Sequence, residues 1–188
     1  MSNLIQKSRD LMKRQTKKNG APAWALTELA VRKGKELAKR CGVDEELVVV
    51  SPYLAHVVFS KKPKNDIQRH HPKLSSKFAR TYLQRWKIDA SRQEIICNAI
   101  EAHHGHVPIK SREAEVMKNA ECFKFLTLEG IILFFHDLGM RGMNIDEAVD
   151  YIRYKVRQKF GYLTLSVCKQ EARKNKKQID TLLATLAN

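Results

Sequence analysis

Helix breakers are scarce in this chain, and their scarcity constrains the fold more than any other feature. Eight glycines and five prolines punctuate 188 residues, too few for the turns that a sandwich or barrel of short strands demands. Between them, apolar residues recur at helical spacing, as at Leu26, Leu29, Ala30, Lys33 and Leu37, where a lysine stem completes the stripe. That pattern predicts a basic helix over residues 1–20 ended by Asn19-Gly20. A second helix follows Pro22 and stops at Gly42, and a third is capped by Asp44. The run ELVVVSPYLAHVVF is rich in valine and reads as strand at first sight. Pro52 in its middle and the lack of partner strands favour a helix, kinked where proline removes a hydrogen bond. Ser60 to His70 reads as a polar loop, and Pro72 then opens a helix through Leu74, Phe78, Tyr82 and Trp86. Further helices are expected at about 92–103, behind a Ser91/Glu94 capping box, and at about 112–136, behind Ser111. Asp146 is expected to cap one at about 147–160, and a last helix runs from Ser166 to near the C-terminus. About eight helices and no credible sheet make an all-α bundle.

The chain is long enough for one domain with a real core and too short for two large ones. Its expected organisation is a basic N-terminal helix at 1–20, a helical domain at 21–139, and C-terminal helices at 140–188 that cover the same domain. The N-terminal stretch is basic but has no apolar segment before a cleavage site, unlike a secretory signal. No run of about 18 apolar residues is present to span a membrane. Four cysteines, at 41, 97, 122 and 168, lie far apart with no CxxC pair. They read as core thiols in a reducing compartment, and a cytoplasmic location follows as the expectation.

A formal net charge of +15 and a pI near 9.8 are the strongest compositional signals. Basic residues crowd into 7–18, 32–40, 61–92 and 169–177. Such an excess attracts phosphate-bearing partners: nucleotides, RNA, DNA or an acidic membrane surface. A solvated basic surface is the plainer reading, because no compact recognition motif accompanies the charge.

Seven histidines occur, at 56, 70, 71, 103, 104, 106 and 136. Most fall at predicted helix ends in the middle third, where imidazoles can project together toward a metal or a phosphate. By themselves they read equally as polar residues at helix ends.

The order of elements resembles the HD superfamily of metal-dependent phosphohydrolases. The matching stretches are APAWALTELAVRKGKELAKRCGVDEELVVVSPYLAH, HHPKLSSKFARTYLQRWKIDASRQEIICNAIEAHHG and SREAEVMKNAECFKFL, about half the chain. The resemblance implies a compact helical bundle. It also implies an early His, a His-Asp doublet and a later Asp that bind a divalent metal, whose bound water attacks a phosphate ester. Several of those ligands are altered here. The early His position falls on Leu26. The doublet falls on Ala55-His56, or on His56-Val57 with a one-residue slip, and either way the Asp that can bridge two metals is missing. The later Asp falls on Glu121, with Asn119 as the alternative. His136-Asp137 looks like the doublet but comes after the acidic position, so it reads as coincidence.

By this resemblance the candidate metal ligands are His56, His71, His103, His104 and Glu121, for Mn, Zn, Fe or Mg. Lys61, Lys62, Lys64, Arg69 and Lys73 are the candidate phosphate-binding residues beside them. The leading expectation is a protein with an altered metal site that binds a phosphorylated small molecule or nucleotide in a His-lined basic pocket. A phosphohydrolase with an atypical His-rich site is one alternative. A nucleic-acid-binding module that uses the basic terminal helices is the other.

Overall fold

The computed structural model describes the backbone of residues 2–60 and 65–186, and within these the side chains of all but 65–69. Among the described residues the elements are α1 (Asn3–Asn19), α2 (Trp24–Cys41), α3 (Glu45–Ala55), α4 (Asn65–Arg85), α5 (Ala90–Ala102), α6 (Arg112–Phe123), α7 (Leu128–Gly139), α8 (Ile145–Tyr162) and α9 (Ser166–Thr185), with no strand. No described helix is long and apolar enough to cross a membrane. All four cysteines are free thiols, three of them buried.

The helix that looked most like a strand lies at the centre. Every residue of α3 from Leu47 to Ala55 is buried, and α3 contacts α1, α2, α4, α5 and α6. A helix apolar on all sides must be enclosed by others, and that is why its valine run lacks the usual polar face. It starts where Asp44 accepts the backbone N–H groups of Glu46 and Leu47, and it continues through Pro52 to Ala55. Two neighbours stop as the glycines predict: Gly20 and Gly42 close α1 and α2 at φ 69° and 64°, in the left-handed conformation that glycine adopts without a Cβ penalty.

Four local expectations give way to the structure. The single helix expected over 112–136 is two. Thr127 caps α7 by accepting the Gly130 N–H, and the chain turns sharply between Lys124 and Thr127. The backbone of α4 begins at Asn65, so Pro72 lies inside the helix instead of opening it; residues 61–64 of the expected loop lie outside the described residues. At α5 the cap is Asp89, whose carboxylate accepts from the Arg92 N–H and from the Ser91 hydroxyl. At α8 the cap is Asn144, in a reciprocal box with Glu147, and not Asp146. In both cases a short polar side chain two residues upstream starts the helix earlier and takes an orphan N–H of its first turn.

Three apolar clusters hold the bundle. One joins α1 to α3, α4 and α5 through residues such as Leu11, Met12, Leu54, Leu83 and Ile100. A second joins α2 and α6 to the start of α9 through Leu37, Val116, Phe123 and Cys168. The third joins α2 to α7, α8 and α9 through Leu29, Ile131, Phe134, Ile152 and Ile179. Lys33, only 7% exposed, ties α2 to α9 by pairing with Glu171 at 2.7 Å as well as with Glu36.

Asn119 fixes the turn from α8 into α9. Its Oδ1 accepts the N–H groups of Thr164 and Leu165, both at 3.0 Å, and its amide donates to Glu115 O and Thr164 Oγ1. Asn119→Ala takes the acceptor away from two part-buried backbone donors, at a cost of about 1–3 kcal/mol. Urea unfolding should show the midpoint fall accordingly; an unchanged midpoint would contradict this anchoring.

Candidate functional site

Three helices deliver an imidazole each to one place. His56 is the residue that closes α3, His71 lies in α4, and His103 closes α5. One ligand nitrogen from each lies within 4.8 Å of those of the other two. The ring centres of His56 are 5.1 Å from His71 and 5.0 Å from His103, and His71 and His103 are 5.6 Å apart. His104 stands beside them, 4.2 Å from His103 and 4.9 Å from His71. The sequence spacing follows from the helix ends: a side chain at the last turn of a buried helix projects into the space that the helix itself no longer fills.

The hydrogen bonds sort the tautomers. His103 Nδ1 faces the carbonyl of Ile100 at 2.5 Å, and a carbonyl only accepts, so Nδ1 carries the proton. Its Nε2 then presents a lone pair, fully buried and without a hydrogen-bond partner. Burial, and then the neighbouring His56, keep His103 well below the ordinary imidazole range, hence neutral. His56 is lowered by burial as well. Its Nε2 lies 3.1 Å from Glu121 Oε2. Burial pushes the Glu121 carboxyl up, but Lys124 and then His56 outweigh it and hold the group well below the usual carboxylate range. An ionised carboxylate takes the proton side of His56, leaving Nδ1 with the lone pair. A backbone carbonyl behind one imidazole and a carboxylate behind another are the outer contacts that orient metal-ligating histidines. The donor set therefore fits a divalent transition metal, and an all-imidazole set suits zinc or iron better than manganese or magnesium.

Glu121 lies apart from the three-imidazole set. It is 2% exposed, on α6, and its Oε2 also accepts from Lys124 Nζ at 2.7 Å. Leu26 lines the same space, and Ala55 is buried, next to His56 in the chain. Asn119, the other acidic-position candidate, is spent on the α8–α9 turn.

His56, His71 and His104 line a cavity of about 440 Å³, and His103 lies buried behind them. Lys61, Lys62, Lys64 and the side chain of Arg69 lie outside the described residues. Lys73 is exposed and is not among the residues that line the cavity. The cations that do line it are Lys124, Arg141, Lys155 and Lys159. Lys159 is 3% exposed, and its ammonium lies 5.7 Å and 5.6 Å from the ring centres of Phe125 and Tyr162. Among the described residues it forms no ion pair. A buried ammonium without a carboxylate partner is costly, and burial lowers its pKa accordingly. Lys155, near the aromatic rings of Tyr151 and Tyr154, is pushed down by burial to about 8. Their one trace in the sequence is the four-residue spacing of Tyr151, Lys155 and Lys159, which places a tyrosine and two lysines along one side of α8. In the His136-Asp137 pair, His136 is exposed, whereas Asp137 faces the cavity and pairs with Arg141.

No family model and no curated protein matches the chain by sequence. Solved structures do match by fold. YpgQ from Bacillus subtilis superposes with a TM-score of 0.75 at 13% identity, covering 97% of this chain and 93% of that one; a second structure of it, in complex with ADP, gives 0.70 at the same identity over 97% and 90%. A predicted HD-superfamily hydrolase from an uncultured Thermotogales bacterium gives 0.67 at 13% identity over 96% and 89%. An HD-superfamily hydrolase from Bacillus thuringiensis gives 0.69 at 15% over 96% and 93%. The chain has the fold of these HD hydrolases.

Proposed function

We propose, on the premise of an HD-hydrolase fold whose ligand set has been rebuilt from imidazoles, that this protein binds a phosphate-bearing small molecule, nucleotides included, in the cavity between α3–α5 and α8. One observation carries the proposal: buried Lys159, without an ionic partner among the described residues, lines the same cavity as His56, His71 and His104. A cation kept at that cost is one an anionic ligand can pair with. Lys155 and Lys124 add charge on the same wall, and Tyr151, Phe134 and Phe125 give an apolar surface for the remainder of the ligand. The ADP complex of YpgQ, a protein of the same fold, is consistent with this class.

His56, His71 and His103 would hold a divalent transition metal. When bound, such an ion supplies a Lewis acid toward phosphate oxygens. The protein's own groups do the rest: Glu121 and the Ile100 carbonyl orient two imidazoles, and the lysines neutralise the phosphate. A second reading, phosphoester hydrolysis, is favoured by His103 Nε2, a buried lone pair with no hydrogen-bond partner that suits a metal at the edge of the cavity.

Calorimetric titration with ADP, AMP, pyrophosphate and adenosine tests the proposal. The phosphorylated compounds should bind and adenosine should not. Lys155 is cationic below its pKa of about 8 and neutral above it. Phosphate is already fully ionised above pH 7, its second pKa being about 6. Affinity should therefore fall between pH 7 and pH 9, and Lys159→Met should weaken binding at least about tenfold at either pH. Phosphorylated compounds that leave both the titration and the melting temperature unmoved would overturn the binding function. Release of phosphate by metal-loaded protein separates the second reading from the first.

A further inference from the structure

The cavity wall contains a charge pair whose mutual contact the binding proposal does not explain. Glu121 and Lys124 are 2% and 5% exposed, three residues apart at the end of α6, and joined at 2.7 Å. The same carboxylate oxygen also faces His56 Nε2 at 3.1 Å. The backbone of Lys124 is held on both sides. Its backbone N–H closes α6 on Ala120 and Cys122, and its carbonyl is pressed against Gly130 at the start of α7.

We propose that Lys124 is a built-in cation: its ammonium gives Glu121 the positive charge that a second divalent ion would otherwise supply, so the pocket takes one metal ion per chain and Glu121 positions His56 instead of ligating. The inference rests on the proposal that the three imidazoles hold a metal. Three observations support it beyond that. One oxygen of Glu121 is already shared between an ammonium and an imidazole. A dication drawn to the other oxygen, Oε1, would meet the Lys124 ammonium across a single carboxylate, where burial removes the water that would screen them. Lys159 lies on the same wall, and its charge adds to that repulsion.

The test is a count of bound metal with a spectroscopic signature. Metal-free full-length protein is loaded with Co2+, passed through a desalting column, and measured by elemental analysis and visible absorption. The wild type should hold one ion per chain. Lys124→Arg keeps a cation beside Glu121 and should also hold one. Lys124→Met frees the carboxylate, so the count should rise toward two and the absorption spectrum should change as an oxygen donor joins the set. Should Lys124→Met fail to fold, the double variant K124M/E121Q removes both buried charges and should hold one ion with the wild-type spectrum. Two ions in the wild type, or one ion and an unchanged spectrum in folded Lys124→Met, overturn the inference alone. So does loss of the ion from folded K124M/E121Q, because Glu121 is then a ligand. No ion in the wild type overturns the metal-holding proposal and this inference with it.

Discussion

On the proposal that three imidazoles hold a divalent metal, replacing His71 and His103 together by alanine should take the purified protein from about one ion per chain to near none. The reason is arithmetic in ligands: the two substitutions remove two of the three converging imidazoles and leave His56 alone. Losing only an outer contact to a ligand typically weakens a metal site by about 10–100-fold, and losing two ligands goes well beyond that. Both side chains are buried, at 5% and 0% exposure, so truncation also leaves small cavities. Far-ultraviolet circular dichroism and a thermal melt establish that the variant is folded before its metal is counted. A folded double variant that keeps metal at the wild-type level would show that the ion sits elsewhere and that the imidazole cluster is ordinary packing.

The second large effect lies outside the site. Gly130→Ala places a Cβ 1.6 Å from the carbonyl oxygen of Lys124, closer than any real contact, and neither backbone segment is free to yield. Relief requires separating the end of α6 from the start of α7, at a cost on the order of 3–5 kcal/mol. For a chain of this length that lowers the melting temperature by roughly 10 °C. The displaced segment carries Lys124, so ligand affinity should fall in the same variant even below its melting point. Gly139 is the control: a Cβ there meets nothing within 4 Å, and Gly139→Ala at the end of the same helix should leave the melt nearly unchanged. A Gly130→Ala protein that melts within a few degrees of the wild type would mean that the α6–α7 turn is far softer than its geometry shows.

The same turn shows where local reasoning stops. Ser111, the apolar run IILFF and the absence of proline all read as one helix over 112–136. The break is made by Thr127 turning its hydroxyl onto Gly130 while Lys124 closes α6, a choice that short-range propensity leaves nearly balanced. Caps were readable as a class, yet Asp89 displaced Ser91, and Asn144 displaced Asp146. Several short polar residues near one helix start compete to cap it, and geometry of less than one turn decides between them.

What the sequence determined by itself was the sequence-local physics: scarce breakers and helical apolar spacing made the bundle. The imidazole set, with Leu26 and Ala55 at altered ligand positions, was implied by the resemblance to the HD superfamily and not by spacing alone. Only the tertiary structure decided which charges share that space. Lys124, Arg141, Lys155 and Lys159 lie 20 to 55 residues beyond His104, the site histidine nearest to them along the chain, in a sequence where a lysine or arginine stands at nearly every fifth position. A cation on a solvated face and a cation buried in a cavity have the same local signature, because burial is set by which helices cross and not by the residues beside it.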